Sequence, residues 1–285
     1  MVLKAYKYRL YPNKDQEHFL NQNFGAVRFI WNQLVANFNS WSKDGPNRPM
    51  NEKILKNNEE FKWLNSVISY ALQQKRMDFE ETKKQFFNKK RAIKLGKMKF
   101  KKKGIARNSF RIPGQALKFN DCINFETSQI KLPKMKPMKL VIDRKFNGRL
   151  KSVTISKNSC NQYFASVLIE EESELKQNTD CSIGIDLGLI HFATLSDGTK
   201  IENPKWFRES QSKLKQAQQH LSRKIKDSKR YEKQRLKVAK IHLKIANQRK
   251  WFHHVLSSWL IDNFDTICME KLNVKGMVKN HKLAK

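Results

Sequence analysis

The sequence predicts an α+β protein of two or three modules, and three patterns in its 285 residues support this. Apolar residues recur every three or four positions through 13–38, which is the spacing of an amphipathic helix. Short runs rich in β-branched residues, separated by turn signals, fill 108–170 and predict a sheet. A hydrophobic content of 39% indicates a globular chain with a core of its own.

The first hundred residues predict one strand followed by helices. Residues 3–11 have strand composition with alternating basic residues, and Pro12 ends this strand. Asn13 is a predicted helix N-cap, because its side-chain oxygen can accept hydrogen bonds from free backbone N–H groups of the first turn. After a loop marked by glycine and prolines, two more helices are expected near 51–60 and 66–95.

The remainder predicts a β-rich segment, a linker and a final mixed module. The strand-like runs of the β-rich segment are 140–142, 152–156 and 163–169, and they would suit a small barrel. The acidic, polar stretch 170–180 resembles a linker. A hairpin is expected at 191–198, around the Asp-Gly turn, and one or two long helices are expected over 205–263.

The charge balance points to a polyanionic partner. There are 58 Lys and Arg against 26 Asp and Glu, a formal net charge of +32. Nucleic acid is favoured over a membrane surface, because no apolar run is long enough for a spanning helix and the N-terminus lacks a signal-peptide apolar region. The four cysteines form no Cys-x-x-Cys pair, so we expect free thiols and no zinc site.

Two stretches concentrate the positive charge. The first basic segment, 83–111, carries thirteen Lys or Arg, no acid and four interleaved phenylalanines. The second basic segment, 205–250, carries sixteen Lys or Arg and three acids. A charge run is often only a solvated face, but aromatics among cations also suit stacking on bases. The candidate nucleic-acid contacts are Lys84, Lys89, Lys90, Arg91, Lys99, Lys101, Lys102, Lys103, Arg107, Arg111, Arg223, Lys224 and Arg230.

Two acidic residues stand in separate strand-like runs of this basic chain. Asp186 alternates with apolar residues over 183–188, so its side chain is expected on the face opposite the isoleucines. Glu270 lies in a similar run over 265–272, where it is expected on the face opposite Ile267 and Met269. Such carboxylates could hold Mg²⁺ ions that act on phosphodiesters, whereas the simpler interpretation places Asp186 at a tight turn and Glu270 in a solvated loop.

Short phrases spread over nearly the whole chain carry a specific resemblance. They are KAYKYRLYP at 4–12, GAVRFIWN at 25–32, ALQQ at 71–74, KLP at 131–133, SVTIS at 152–156, GIDLG at 184–188, ENPK at 202–205, IANQR at 245–249 and LNVKGM at 272–277. With these phrases the sequence resembles the TnpB family, the transposon-encoded RNA-guided DNA nucleases also known as OrfB-type transposases.

The resemblance implies a domain plan. Residues 1–12 and 105–178 would form a wedge-like β-barrel, and 13–104 an inserted helical recognition module. Residues 179–285 would form the N-terminal part of a RuvC nuclease domain of RNase H-like α/β fold. The resemblance also implies a guide RNA from the transposon end and target DNA as partners, with base pairing reading the target sequence.

By motif match, Asp186 and Glu270 take the places of the first two RuvC carboxylates and would ligate Mg²⁺. The family also uses a third carboxylate and a paired-cysteine zinc ribbon, and the sequence ends before either. We therefore expect a truncated copy, a fragment or half of a split protein, with strong RNA or DNA binding and impaired cleavage.

Two alternatives stay open at this point. The first is a catalytically inactive remnant or repressor, which would still bind RNA and DNA. The second is a general basic RNA-binding protein of ribosomal type, which would show no preference for transposon-end RNA. The expected location is the prokaryotic cytoplasm, in association with the nucleoid and with no membrane partner.

Overall fold

The computed structural model describes residues 1–40, 50–88, 90, 96, 98–172 and 180–279. The chain divides into two compact units, Met1–Ser173 and Glu174–Lys285. Of the candidate contacts, Lys89 and Arg91 lie outside the described residues. Within the described residues, no helix is both long enough and apolar enough to span a membrane.

The first unit is built on a seven-stranded antiparallel sheet. Its strands are β1 (Val2–Tyr11), β2 (Asn108–Pro113), β3 (Ile123–Asn124), β4 (Gln129–Ile130), β5 (Met138–Val141), β6 (Arg149–Lys157) and β7 (Tyr163–Glu171). They lie in the order β2-β6-β7-β1-β5-β4-β3, with β1 paired to both β7 and β5. The strand pairings of the described residues give an open order, so closure into a barrel stays a prediction.

Alternation along the strands sets the two faces of this sheet. Tyr8 and Leu10 of β1 are buried, as are Ala165 and Val167 of β7, while their sequence neighbours face outward. Burial of one face is why β-branched and aromatic residues stand at every second position here.

Among the described residues, three α-helices follow β1 in sequence and precede β2. They are α1 (Lys14–Asn39), α2 (Glu52–Asn57) and α3 (Ser69–Phe87). The predicted N-cap is confirmed, because Asn13 and Gln16 exchange side-chain-to-backbone hydrogen bonds in a capping box. The helix predicted over 51–60 is shorter, because the Asn58 side chain caps a separate 3₁₀ turn at Glu59–Asn65.

The core of the first unit forms where α1 lies on the buried face of the sheet. Phe24 of α1 contacts Phe110 of β2 and Tyr163 of β7, with ring centroids 5.3 and 6.5 Å apart. Trp31, further along α1, meets Phe79 of α3 edge-on. These contacts join the helices and the sheet in one apolar cluster.

The second unit contains a four-stranded sheet and two long helices. Its elements are β8 (Ser182–Leu187), β9 (His191–Leu195), β10 (Lys200–Glu202), α4 (Trp206–Ser222), α5 (Lys229–Asn263), β11 (Thr266–Met269) and α6 (Val274–Met277). The strand order is β10-β9-β8-β11; β8, β9 and β10 form an antiparallel meander, and β11 runs parallel to β8. The hairpin predicted at 191–198 is confirmed as β9 and β10, and the helical stretch predicted over 205–263 consists of the two helices α4 and α5.

Candidate functional site

The parallel pairing of β8 with β11 sets the relative position of Asp186 and Glu270. In the observed register Ile267 lies beside Ile183 and Met269 beside Ile185. The residue that follows Ile185 on β8 is Asp186, and the residue that follows Met269 at the end of β11 is Glu270. Neighbouring strands lie about 4.8 Å apart, so the backbones of these two acids are adjacent at the carboxyl end of both strands. We call these residues the carboxylate pair.

Both members of the carboxylate pair face solvent. Ile183 and Ile185 are buried, whereas Asp186 is exposed, as the strand alternation predicts. Glu270 is exposed as well. Residues at matching positions of parallel strands project to the same face, so continuation of the β8–β11 register by one residue predicts a shared face for the two carboxylates.

Glycines on either side of Asp186 shape this end of β8. A side chain at Gly188 would bring its Cβ within 3.0 Å of the His191 carbonyl, where the chain turns into β9. The Gly184 N–H donates to Ser196 Oγ at 3.0 Å, and an added Cβ would lie 3.4 Å from the Ser196 side chain. The Gly-x-Asp-x-Gly spacing therefore allows a close turn beside the carboxylate.

Carboxylate oxygens are the hard ligands that Mg²⁺ prefers, so the chemistry of the carboxylate pair suits that ion. Within the described ranges, no group of three or more His, Cys, Asp and Glu side chains gathers into a metal-binding cluster. A divalent ion held by this pair would need further ligands from water, phosphate or other protein groups.

Some cations of the first basic segment are exposed to solvent, and others already contact groups of the protein. Lys84 and Lys90 are exposed at the end of α3 and just after it. The exposed members that precede β2 are Lys99, Lys102, Lys103 and Arg107. Arg111 on β2 already pairs with Asp78 of α3, with 2.9 Å between Nη2 and Oδ1.

Lys101 is held inside the first unit. Its Nζ lies 3.7 Å from the centroid of the Trp31 ring. The Asn32 side chain accepts from the Lys101 N–H at 2.7 Å and donates to the Lys101 carbonyl at 3.0 Å. Burial, assisted by the nearby Lys75 and opposed by Asp78, lowers the pKa of Lys101 from 10.5 to about 8.

The candidates of the second basic segment lie at one end of a helical hairpin. Arg223 and Lys224 are exposed in the turn that connects α4 to α5, and Arg230 is exposed in the first turn of α5. Gln234 of α5 donates to the Ala217 carbonyl of α4 at 2.9 Å, which fixes the two helices side by side near this turn.

Sequence reasoning missed a basic and aromatic face on β1 and β7. Lys7 Nζ and the Arg9 guanidinium carbon lie 4.3 and 5.1 Å from the Phe164 ring centroid, and Arg9 also lies 5.3 Å from Tyr11. The buried Nη1 of Arg9 has no hydrogen-bond partner among the described residues. The signal was present in the alternating basic residues of 3–11, whose shared face only the strand pairing reveals.

Family and sequence comparisons agree on one group of proteins. The family model for IS605 OrfB proteins, described as "Probable transposase", matches residues 165–281 of this chain. The helix-turn-helix model of the same family, described as "Helix-turn-helix domain", matches residues 1–45. "Putative RNA-guided DNA endonuclease InsQ" of Escherichia coli is 35% identical over 98% of this chain and 68% of its own length. A relative of the same description from Streptomyces pristinaespiralis is 31% identical over 100% of this chain and 70% of its own length.

Two solved structures show weaker likeness. The Cas12f1–sgRNA–target DNA complex matches 99% of this chain and 76% of that one with a TM-score of 0.30, and a CRISPR–Cas12f ternary complex matches 94% and 64% with a TM-score of 0.31. At 12% and 13% identity these matches place no residue of the present chain. On the strength of its close relatives in sequence, the chain belongs to the TnpB family of IS605 OrfB-type proteins.

Proposed function

We propose that this chain binds a guide RNA and target DNA, and that the carboxylate pair is part of a Mg²⁺ site for phosphodiester hydrolysis. The observation that carries the proposal is the in-register pairing of β8 and β11 as far as Ile185 and Met269, whose continuation by one residue would bring Asp186 and Glu270 to one end and one face of a sheet. The names of the relatives, which describe RNA-guided DNA endonucleases, support the partners.

The order of the second sheet supports an RNase H-like assignment for 179–285. An antiparallel meander followed by a helical crossover to a strand parallel to the first is compatible with that fold. In open sheets with parallel strands, sites collect where the carboxyl ends of neighbouring strands meet. The carboxylate pair occupies that position. We propose the same domain plan as the resemblance implies, with 1–12 and 105–178 as the barrel and 13–104 as the helical module.

Charge supports the nucleic-acid partners. A chain of net charge +32 attracts a phosphate backbone strongly at low salt, and each neutralised phosphate releases counterions. The exposed cations at 99–107 and at the α4–α5 turn are the proposed contacts, together with Lys7 and Arg9 of the basic and aromatic face.

Bound Mg²⁺ would activate water and stabilise the leaving oxygen. The proposed contribution of this chain is to hold the ion through Asp186 and Glu270 and to bind the nucleic-acid backbone through its basic surfaces. We further propose that a metal site formed by this pair alone would support little cleavage, because two carboxylates constrain an ion less than three do.

Metal binding and nucleic-acid binding can be tested separately. Mn²⁺, used as a spectroscopic substitute for Mg²⁺, should bind the wild type and bind more weakly in Asp186→Asn and Glu270→Gln when followed by electron paramagnetic resonance. Asp197→Asn is the matched control, because this exposed acid lies at the β9–β10 turn of the same unit, where its Oδ1 accepts from the Thr199 N–H. All variants should keep wild-type RNA affinity.

The same proteins decide the catalytic question. Undetectable cleavage in Mg²⁺ with intact RNA binding is the expected result, and it also describes the runner-up function of a binding-only remnant or repressor. Mg²⁺-dependent cleavage that disappears in Asp186→Ala would overturn the proposed impairment. Mn²⁺ binding that is equal in the wild type, Asp186→Asn and Glu270→Gln would overturn the metal site.

A further inference from the structure

Residues 98–103 are held along α1 by a set of contacts that sequence reasoning did not anticipate. Trp31 Nε1 donates to the Lys99 carbonyl at 3.1 Å, and the Asn32 side chain makes both backbone hydrogen bonds of Lys101. Met98 is buried. These contacts join positions 68 and 69 residues apart in sequence, so they fix the backbone of this part of the first basic segment.

The fixed backbone presents a particular pattern of side chains. Met98 is buried in the apolar cluster and Lys101 lies over Trp31 of α1, whereas Lys99, Lys102 and Lys103 are exposed. Phe100, between them, is 53% exposed. An exposed phenylalanine on an ordered backbone, with cations on both sides, has the composition of a stacking platform for single-stranded nucleic acid.

The other phenylalanines of the first basic segment have packing roles. Phe110 is buried against Phe24 of α1. Phe86 and Phe87 form an edge-on cluster with Phe38, with centroids 5.2 to 6.0 Å apart. Within the described part of the chain, no ring packs against Phe100. Phe87 is 55% exposed as well, but its ring is held by Phe38 and Phe86, so Phe100 is the exposed phenylalanine of the four for which the described residues supply no ring partner.

We propose that Phe100 stacks on an unpaired base, while Lys99, Lys102 and Lys103 contact the phosphates that flank it. The inference rests on the proposed nucleic-acid function and names the ligand more closely: an unpaired nucleotide of RNA or of displaced single-stranded DNA. Trp31 and Asn32 act as positioning residues, because they hold the backbone on which the ring is presented.

Fluorescence anisotropy with three labelled probes of one sequence tests the proposal: single-stranded RNA, single-stranded DNA and the DNA duplex. Phe100→Ala should weaken binding of single strands by about five-fold or more and leave duplex binding unchanged, since only an unpaired base offers its face to the ring. Phe100→Trp keeps an aromatic face, so it should bind the single-stranded probes with an affinity close to that of the wild type. The salt dependence should stay as in the wild type, because no charge is lost.

Ile105→Ala is the matched control. Ile105 is 84% exposed in the same stretch but has no aromatic face, so its replacement should leave all three affinities unchanged. Equal weakening in RNA and DNA would identify the base as the ligand, and a loss confined to RNA would assign the contact to the guide strand.

Asn32→Ala tests whether the fixed backbone is needed for the contact made by Phe100. Freeing the Lys101 backbone should reduce affinity for single strands, and in that background Phe100→Ala should have little further effect, because the two residues act together. Circular dichroism should show that the fold survives. Fully additive losses would overturn the positioning role of Asn32.

The outcomes separate this inference from the proposed function. If the wild type binds none of the three probes at low salt, both fail. If the wild type binds them and Phe100→Ala binds single strands equally well, the stacking inference alone fails. If Phe100→Ala loses duplex affinity to the same extent, the contact is not with an unpaired base and the inference also fails.

Discussion

Replacing Lys101 with methionine should stabilise the first unit at neutral pH. The Lys101 ammonium lies over the Trp31 ring, in a partly buried position beside Lys75. Methionine has a similar length and fills the same space with no charge to desolvate. Two opposed effects decide the outcome, the cost of burying the charge and its attraction to the face of the ring.

The magnitude follows from the pKa of Lys101. Its fall from 10.5 to about 8 corresponds to a destabilisation of at most about 3 kcal/mol for the charged lysine. Attraction to the indole face offsets about 1 kcal/mol of this, and partial solvent access reduces the remainder. We therefore expect Lys101→Met to raise the free energy of unfolding by about 1 kcal/mol at pH 7.

The pH dependence has a defined sign. The folded-state pKa lies below the unfolded value, so the unfolded chain binds more protons than the folded chain between pH 8 and pH 10.5. The cost of the buried charge is complete below pH 8 and fades as the pH rises through this window. The advantage of Lys101→Met over the wild type should fade with it.

Urea denaturation followed by tryptophan fluorescence, at several pH values, measures this difference. Lys102→Met is the control, because this neighbour is exposed and its replacement should change stability by less than about 0.5 kcal/mol. A variant that is less stable than the wild type by a constant amount at every pH would refute the reasoning, and would mean that the interaction with Trp31 exceeds the cost of burial.

Two further predictions concern single backbone positions of the first unit, and thermal unfolding measures both. Asn13→Ala removes the α1 capping box and should cost about 1 kcal/mol, whereas Asn13→Asp should cost much less, and an alanine variant as stable as the wild type would contradict the cap. Gly114→Ala would place Cβ 2.5 Å from the Leu150 carbonyl oxygen and should cost about 2 kcal/mol or more. Gly25→Ala, in α1 with nothing within 4 Å, should instead be neutral or stabilising by up to about 1 kcal/mol, so equal effects at the two glycines would refute the steric argument.

Features that depend on neighbours in sequence were predictable. The N-cap at Asn13, the strand alternation around Asp186 and the β9–β10 hairpin all follow from local patterns, and the structure contains each of them. The ends of α2 and α3 were predicted less well, since a few residues of 3₁₀ turn or of loop have nearly the same composition as helix.

The exposure of individual side chains in the first basic segment was not predictable. Phe100 and Phe110 stand in the same basic segment, yet Phe110 is buried on β2 and Phe100 is half exposed on the segment beside α1. The charge pattern likewise gave no sign that Lys101 would lie over Trp31 while Lys102 faces solvent. Packing between distant elements decides such differences, and no local periodicity records it.

From the sequence alone come the strong positive charge, the helical and β-rich regions, the resemblance to the TnpB family and the two acids in strand-like runs. These depend on composition, short-range periodicity and motif order. Only the tertiary structure decides that β11 pairs in parallel with β8 and brings Glu270 beside Asp186, or that Asn32 holds the Lys101 backbone. The physical reason is that strand register and helix docking are set by the burial of apolar faces and the pairing of backbone groups between segments far apart in the chain.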